Sequence, residues 1–206
     1  MEKTNELNKF LSYIHMGTSI YRIYKDSAEK LHADSLIDLI VEIEEIFKTH
    51  EEKITRLIHE QNETATTSLT AAGILGVYKE KLKIFDNAFT ICINALKSTH
   101  MGLISSIKFL DDNKELHKEI KDIVINVIED YQRIIMLVIG FICVCCSVIG
   151  LSILDRNIGY YECKHCKERF IPTFGCYING LHGITWRRLR CPSCGKVSNC
   201  RKKLNK

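Results

Sequence analysis

The chain has 206 residues, enough for one ordinary domain and a second small one. Its net charge of +4 is shared unevenly: residues 1–154 carry 17 Lys+Arg against 22 Asp+Glu (net −5), and residues 155–206 carry 12 against 3 (net +9). Both prolines, Pro172 and Pro192, lie in the basic tail, so nothing breaks a helix earlier, and the absence of a nucleophile–base pair, phosphate loop or dinucleotide fingerprint excludes the enzyme classes those motifs mark.

Residues 4–31 show helical periodicity, with Leu7, Phe10, Leu11, Ile14, Ile20, Tyr21 and Tyr24 at mostly three- and four-residue steps. Asp34 or Ser35 is placed to cap a second helix through about Gln61, whose apolar stripe runs from Leu36 to Ile58. Asn62-Glu-Thr-Ala-Thr-Thr is a polar linker. A short helix is expected over 68–85 and a longer one over 86–110, with Cys92 as core. Asp112 with Glu115 reads as a capping box that opens the last helix.

That last helix has no stop signal before a run of 21 uncharged residues, Ile134 to Leu154, which at about 1.5 Å per residue spans a bilayer core of about 30 Å. Arg133 and Asp155-Arg156 bracket it, and one rod of roughly 40 residues is expected. Gly140, Cys143, Ser147 and Gly150 form a seam of small residues through which two copies of the helix would associate. Cys143, Cys145 and Cys146 read as small apolar fillers. Lys114, Lys118, Lys121 and Arg133 on one side balance Arg156, Lys164, Lys167 and Arg169 on the other, so the positive-charge rule gives no orientation.

The tail carries the most specific signal: Cys163-Lys-His-Cys166 and, after 24 residues, Cys191-Pro-Ser-Cys194-Gly. Each tight turn aims two thiolates at one point, and together they supply a tetrahedral four-sulfur shell suited to one structural Zn2+. Two disulfides would need an exported domain, and the N-terminus has no signal-peptide pattern. Cys176 and Cys200 are spare thiols that a four-coordinate site does not need.

The helical part, roughly residues 7–133, resembles the bacterial ferritin-like four-helix domains of unknown function related to rubrerythrin and bacterioferritin. The likeness rests on Leu7-Asn8, the Gly17-to-Lys30 segment with Tyr21 and Ala28-Glu29, the linker with its short helix, and Glu129-Asp130-Tyr131-Gln132-Arg133. It implies an antiparallel four-helix bundle. A di-iron site of that family needs Glu-x-x-His from each of two helices and Glu from two others. Only Glu29-Lys-Leu-His32 fits, at a helix end; Glu129 has no histidine partner, and no Glu lies between Ile91 and Phe109. His100 reads as interior or surface, and His50, His59 and His117 as solvated. The tail, about 160–203, resembles zinc ribbons at the ends of small prokaryotic membrane proteins, in Tyr161-Glu-Cys163-Lys-His-Cys166, Phe170-Ile-Pro172, His182 and Arg190-Cys191-Pro-Ser-Cys194-Gly-Lys.

The expected architecture is mainly α: a ferritin-like bundle over 1–133 whose last helix continues through a transmembrane segment over 134–154, then a small β zinc ribbon over 155–206. The expected function is that of a non-enzymatic, single-pass binding or scaffold protein of a prokaryotic cell membrane. A rubrerythrin-like di-iron oxidoreductase and a zinc-ribbon nucleic-acid binder are the alternatives. Arg187, Arg188, Arg190, Lys196, Arg201, Lys202 and Lys203 gather near the second knuckle, after Phe174, Tyr177 and Trp186. Three readings compete for these cations, and membrane lipid headgroups, the nearest anions, or a solvated face of a small domain are preferred over nucleic acid.

Overall fold

The computed structural model describes residues 2–181, 183 and 186–204. It is mainly helical, with one small antiparallel sheet, and divides into two compact units, Met1–Ile142 and Cys143–Lys206.

In the first unit, α1 (Glu2–Lys30), α2 (Asp34–Glu60), α4 (Ala88–Asp112) and the first part of α5 (Lys118–Asn157) share one apolar core, and the short α3 (Ala71–Lys81) packs on α1. The stripes read from the sequence are the ones buried: Leu7, Phe10, Leu11 and Ile14 from α1 are fully inside, as are Ile43, Ile54 and Ile58 from α2. Aromatic rings join the helices. Phe10 meets Phe109 at 4.7 Å, and Phe47 of α2 lies between Tyr21 of α1 and Tyr131 of α5. Burying each such ring is worth roughly 1.5–3 kcal/mol. Gly102 is needed where α4 meets α5, because a Cβ there would sit 2.7 Å from the Tyr131 ring.

Several of the buried polar groups are paired. Tyr24 donates to Glu80 Oε1 at 2.7 Å, and Lys83 completes that carboxylate at 2.6 Å. Thr99 donates to the Ala95 carbonyl, so Tyr21 donates to Thr99 at 2.7 Å. The linker is pinned to α1 by Asn8, Ser12 and His15, one face at four- and three-residue steps: they bind backbone groups of Thr66, Thr70 and Thr66, respectively.

Several boundaries differ from those expected. The second helix starts at Asp34, but its cap is Ala33 and makes no side-chain cap bond. The turn before it is held by the backbone, through Ala33 N–H to the Ala28 carbonyl at 3.0 Å with His32 at φ +51°. Thr70 and Asn87 cap α3 and α4 through their side chains. Asp112 is no capping-box residue. It ends α4, Asn113 turns back to the Phe109 carbonyl, and α5 starts only at Lys118, where Ile120 and Lys121 donate to the His117 carbonyl. The buried Leu116 fixes that turn.

α5 is one helix of 40 residues that is long and apolar enough to cross a membrane. Only 11% of its most apolar 18 residues is buried, so a charge-free surface with Met136, Val144 and Leu151 faces outward. Gly140 and Gly150 have nothing within 4 Å of a built Cβ.

In the second unit, β1 (Tyr160–Glu162), β2 (Arg169–Phe170), β3 (Trp186–Arg190) and β4 (Val197–Lys203) pair antiparallel in the order β2-β1-β4-β3. Alternation along the strands sorts side chains onto two faces. Tyr161, Leu189 and Cys200 turn to one face, where Tyr177 of the six-residue α6 (Phe174–Asn179) covers them. Lys202 and Arg187 share that face by register, and Lys202 and Tyr177 both bond the Asp155 carboxylate at the end of α5.

Candidate metal centre

The two knuckles are built alike. In the first, Cys163 N–H donates to the Glu168 carbonyl at 2.9 Å and Lys167 N–H to the Cys163 carbonyl at 3.1 Å. In the second, Cys191 N–H donates to the Lys196 carbonyl and Gly195 N–H to the Cys191 carbonyl, each at 3.0 Å. Both turns require a left-handed residue just past the second cysteine: Gly195 at φ +68° adopts it freely, and Lys167 at +62° takes the same conformation at some cost.

Strand pairing brings the knuckles together, with Cys163 following β1, Cys191 following β3, and β4 bonded to both strands. The sulfurs of Cys163, Cys166, Cys191 and Cys194 all lie within 4.8 Å of one another. Cys163 and Cys194 are 3.8 Å apart, and Cys166 and Cys191 3.5 Å. A disulfide needs about 2.05 Å. A tetrahedron of Zn–S bonds of about 2.3 Å places its sulfurs about 3.8 Å apart. The four thiols therefore fit a metal ion and not two disulfides.

Their ionisation points the same way. Cys163 falls to about 6, because the Cys166 and His165 backbone amides and the neighbouring thiols favour its thiolate. Cys166 rises to about 12: the Glu168 amide favours its thiolate, but desolvation and the Cys191, Cys194 and Cys163 sulfurs outweigh that. One negative charge is welcome and the next is repelled, a conflict that a cation at the centre removes.

Cys200, the other buried tail thiol, belongs to the sheet core beside Ser198, where burial raises its pKa; Cys176 is exposed on α6. Neither belongs to the converging group. Cys92 is buried and Cys143, Cys145 and Cys146 are exposed on α5. His182 lies outside the described residues.

The four cysteines are the one converging group of metal-ligand side chains among the described residues. Glu29, His32, Glu129 and His100 are exposed. His59 and His117 are exposed as expected, but His50 is not solvated: it is 3% exposed, with Nε2 2.8 Å from Asp130 Oδ2. Its place was visible in the stripe, three residues after Phe47 and four before Ile54.

The sheet splits the cations that the sequence shows as one cluster. Arg187 turns to the covered face, 3.6 Å from the Tyr177 ring centre, and Lys202 joins it there. Arg188, Arg190, Arg201 and Lys203 are exposed on the other face with Trp186, and Lys196 sits in the second knuckle turn. No family model, curated protein or solved structure matches the chain.

Proposed function

We propose that this chain is a non-enzymatic, membrane-anchored binding protein: a ferritin-like four-helix bundle, a single bilayer-spanning segment within α5, and a zinc ribbon whose metal is structural. The observation that carries the reading is that one helix passes from the apolar core of the first unit into a charge-free, largely unburied surface. In water that surface would be an aggregation liability, and in lipid it is an anchor. The ribbon reading is supported by the sulfur spacing and by the small core around Tyr161, Tyr177, Leu189 and Cys200, too little to hold so small a unit without a staple. Four long helices around one core support the bundle reading.

The experiment is carbonate extraction of membranes from cells expressing the full chain, with metal analysis of the detergent-purified protein. Retention in the pellet with one zinc per chain is expected. Release into the soluble fraction overturns the anchor, and two irons per chain would restore the rubrerythrin-like oxidoreductase.

A further inference from the structure

The sheet has two unlike faces. On the covered one, both cations are engaged: Arg187 lies over Tyr177 and donates to its carbonyl at 2.7 Å, and Lys202 bonds Asp155. The other face carries Arg169, Arg188, Arg190, Arg201 and Lys203, all exposed, with Trp186 and Tyr160 among them. Its one carboxylate, Glu162, takes Lys203 at 2.7 Å. Of the described residues outside the sheet, Gly183 lies against it, close beside the Trp186 ring. A groove of about 450 Å³ runs along it, and its lining includes Lys164 and Lys167 from the first knuckle, Arg201, Lys203, Asn199 and the Trp186 ring.

We infer that this open face binds single-stranded nucleic acid, with phosphates held by Lys164, Lys167, Arg201 and Lys203 and a base stacked on Trp186. The inference rests on the metal-held sheet proposed above. Three features select this ligand among polyanions. On β4, Arg201 and Lys203 stand two residues apart on this face, a step of about 7 Å. An aromatic ring beside a cationic groove is the arrangement that holds single strands, since bases stack on it whatever their identity. Four paired strands measure about 14 Å across, too broad for the roughly 12 Å major groove of a duplex.

Nearness to the bilayer in sequence favours lipid headgroups, but the geometry of this unit does not. The end of α5 meets the sheet through Asp155, whose partners Tyr177 and Lys202 lie on the covered face. The basic face is turned to the side opposite that attachment.

The test uses the full chain, metal-loaded, in nanodiscs of neutral phosphatidylcholine. Trp186 is the chain's sole tryptophan, so its fluorescence reports on this face directly. Titration with ~12-nucleotide oligo(U) or oligo(dT) should quench it saturably, and affinity should fall steeply with salt. Arg201→Gln with Lys203→Gln should flatten the slope of log affinity against log salt by about 1.4, from two lost phosphates. Trp186→Leu, followed with a labelled oligonucleotide, should weaken binding about 5- to 150-fold with little change in that slope, and Trp186→Tyr should restore much of it. Lys97→Gln with Lys108→Gln, which removes equal charge from the helical unit, should change nothing. Metal content of the same preparation reports on the ribbon separately: a zinc-loaded chain that leaves Trp186 unquenched overturns the nucleic-acid inference alone. It is also overturned if polyglutamate displaces the oligonucleotide at equal charge, or if only phosphatidylglycerol nanodiscs perturb Trp186, with a blue shift.

Discussion

His15 Nδ1 lies 3.0 Å from Glu51 Oε1, and the Nε2 of the same ring lies 3.1 Å from the Thr66 carbonyl. Both partners are acceptors, so the doubly protonated ring is the form that satisfies them together. The Glu51 hydrogen bond accordingly raises the His15 pKa above its ordinary 6.5, although burial opposes it. Glu51 is lowered below 4.5: burial works against its charge, but His15 and Thr18 hydrogen bonds prevail.

A raised folded-state pKa contributes stability that is complete below the unfolded value and lost as pH rises through the folded one. The stability lost on His15→Gln should therefore be largest on the acid side of 6.5 and shrink as pH rises through the raised folded value, in thermal melts followed by helical circular dichroism. A gap that stays constant across that range would mean that the ring is neutral and Glu51 holds it as an ordinary acceptor.

His50 should behave in the opposite sense. Burial lowers its pKa against the pull of Asp130, and with Nε2 donating to Asp130, Nδ1 is buried without a partner. A proton there would have no acceptor. This depressed base contributes stability that is full above 6.5 and lost as pH falls below it. His50→Gln should cost stability at neutral pH, by about 1–3 kcal/mol, and should flatten the acid-side decline of the wild-type chain. An unchanged decline in the variant would remove His50 from the account.

Much of this architecture is legible in the residues, and the failures have physical causes. The 40-residue α5 could be read because nothing between Glu119 and Asn157 can stop a helix, and the knuckles because their ligands are local in sequence. Asp112 misled because an acid three residues before a glutamate looks the same at the end of one helix as at the start of the next; burial of Leu116 and the Asn113 side chain decided it. The sorting of Arg187 and Lys202 away from Arg188, Arg201 and Lys203 follows from period-two alternation, but only once the register Arg187↔Cys200 is known. Asp155 and Lys202 lie 47 residues apart, with nothing local to mark them as a pair.

Cys194→Ser should release the metal and make the tail protease-sensitive, because a neutral hydroxyl holds zinc far more weakly than a thiolate and the ribbon's folding is linked to the ion. The helices of the first unit should keep their circular dichroism. Cys176→Ser should retain one zinc per chain, since that thiol lies outside the group of four. Equal zinc loss from both variants, measured by chelator competition, would put the ligands elsewhere.

Asp155 is where the apolar helix is fastened to the sheet. Its carboxylate accepts from Lys202 and from Tyr177, and Lys202 also reaches the Asp155 carbonyl at 2.6 Å. Lys202 first, then Tyr177, holds the Asp155 carboxyl below its usual range, while burial and that carboxylate push Tyr177 up to about 12. Asp155→Ala removes both side-chain bonds and leaves Lys202 only the backbone oxygen. The four thiols are positioned by β1, β3 and their turns, so zinc content should be unchanged. The segment joining α5 to β1 should open more often, and trypsin should cut after Arg156 faster, on the order of tenfold for the loss of charge-assisted bonds worth roughly 1.5 kcal/mol. Asp155→Asn, which keeps one acceptor for Tyr177, should fall between. If Asp155→Ala instead shed zinc as readily as Cys194→Ser, the metal centre would depend on the attachment to α5, and the sheet would not be the self-contained unit its strand pairing implies.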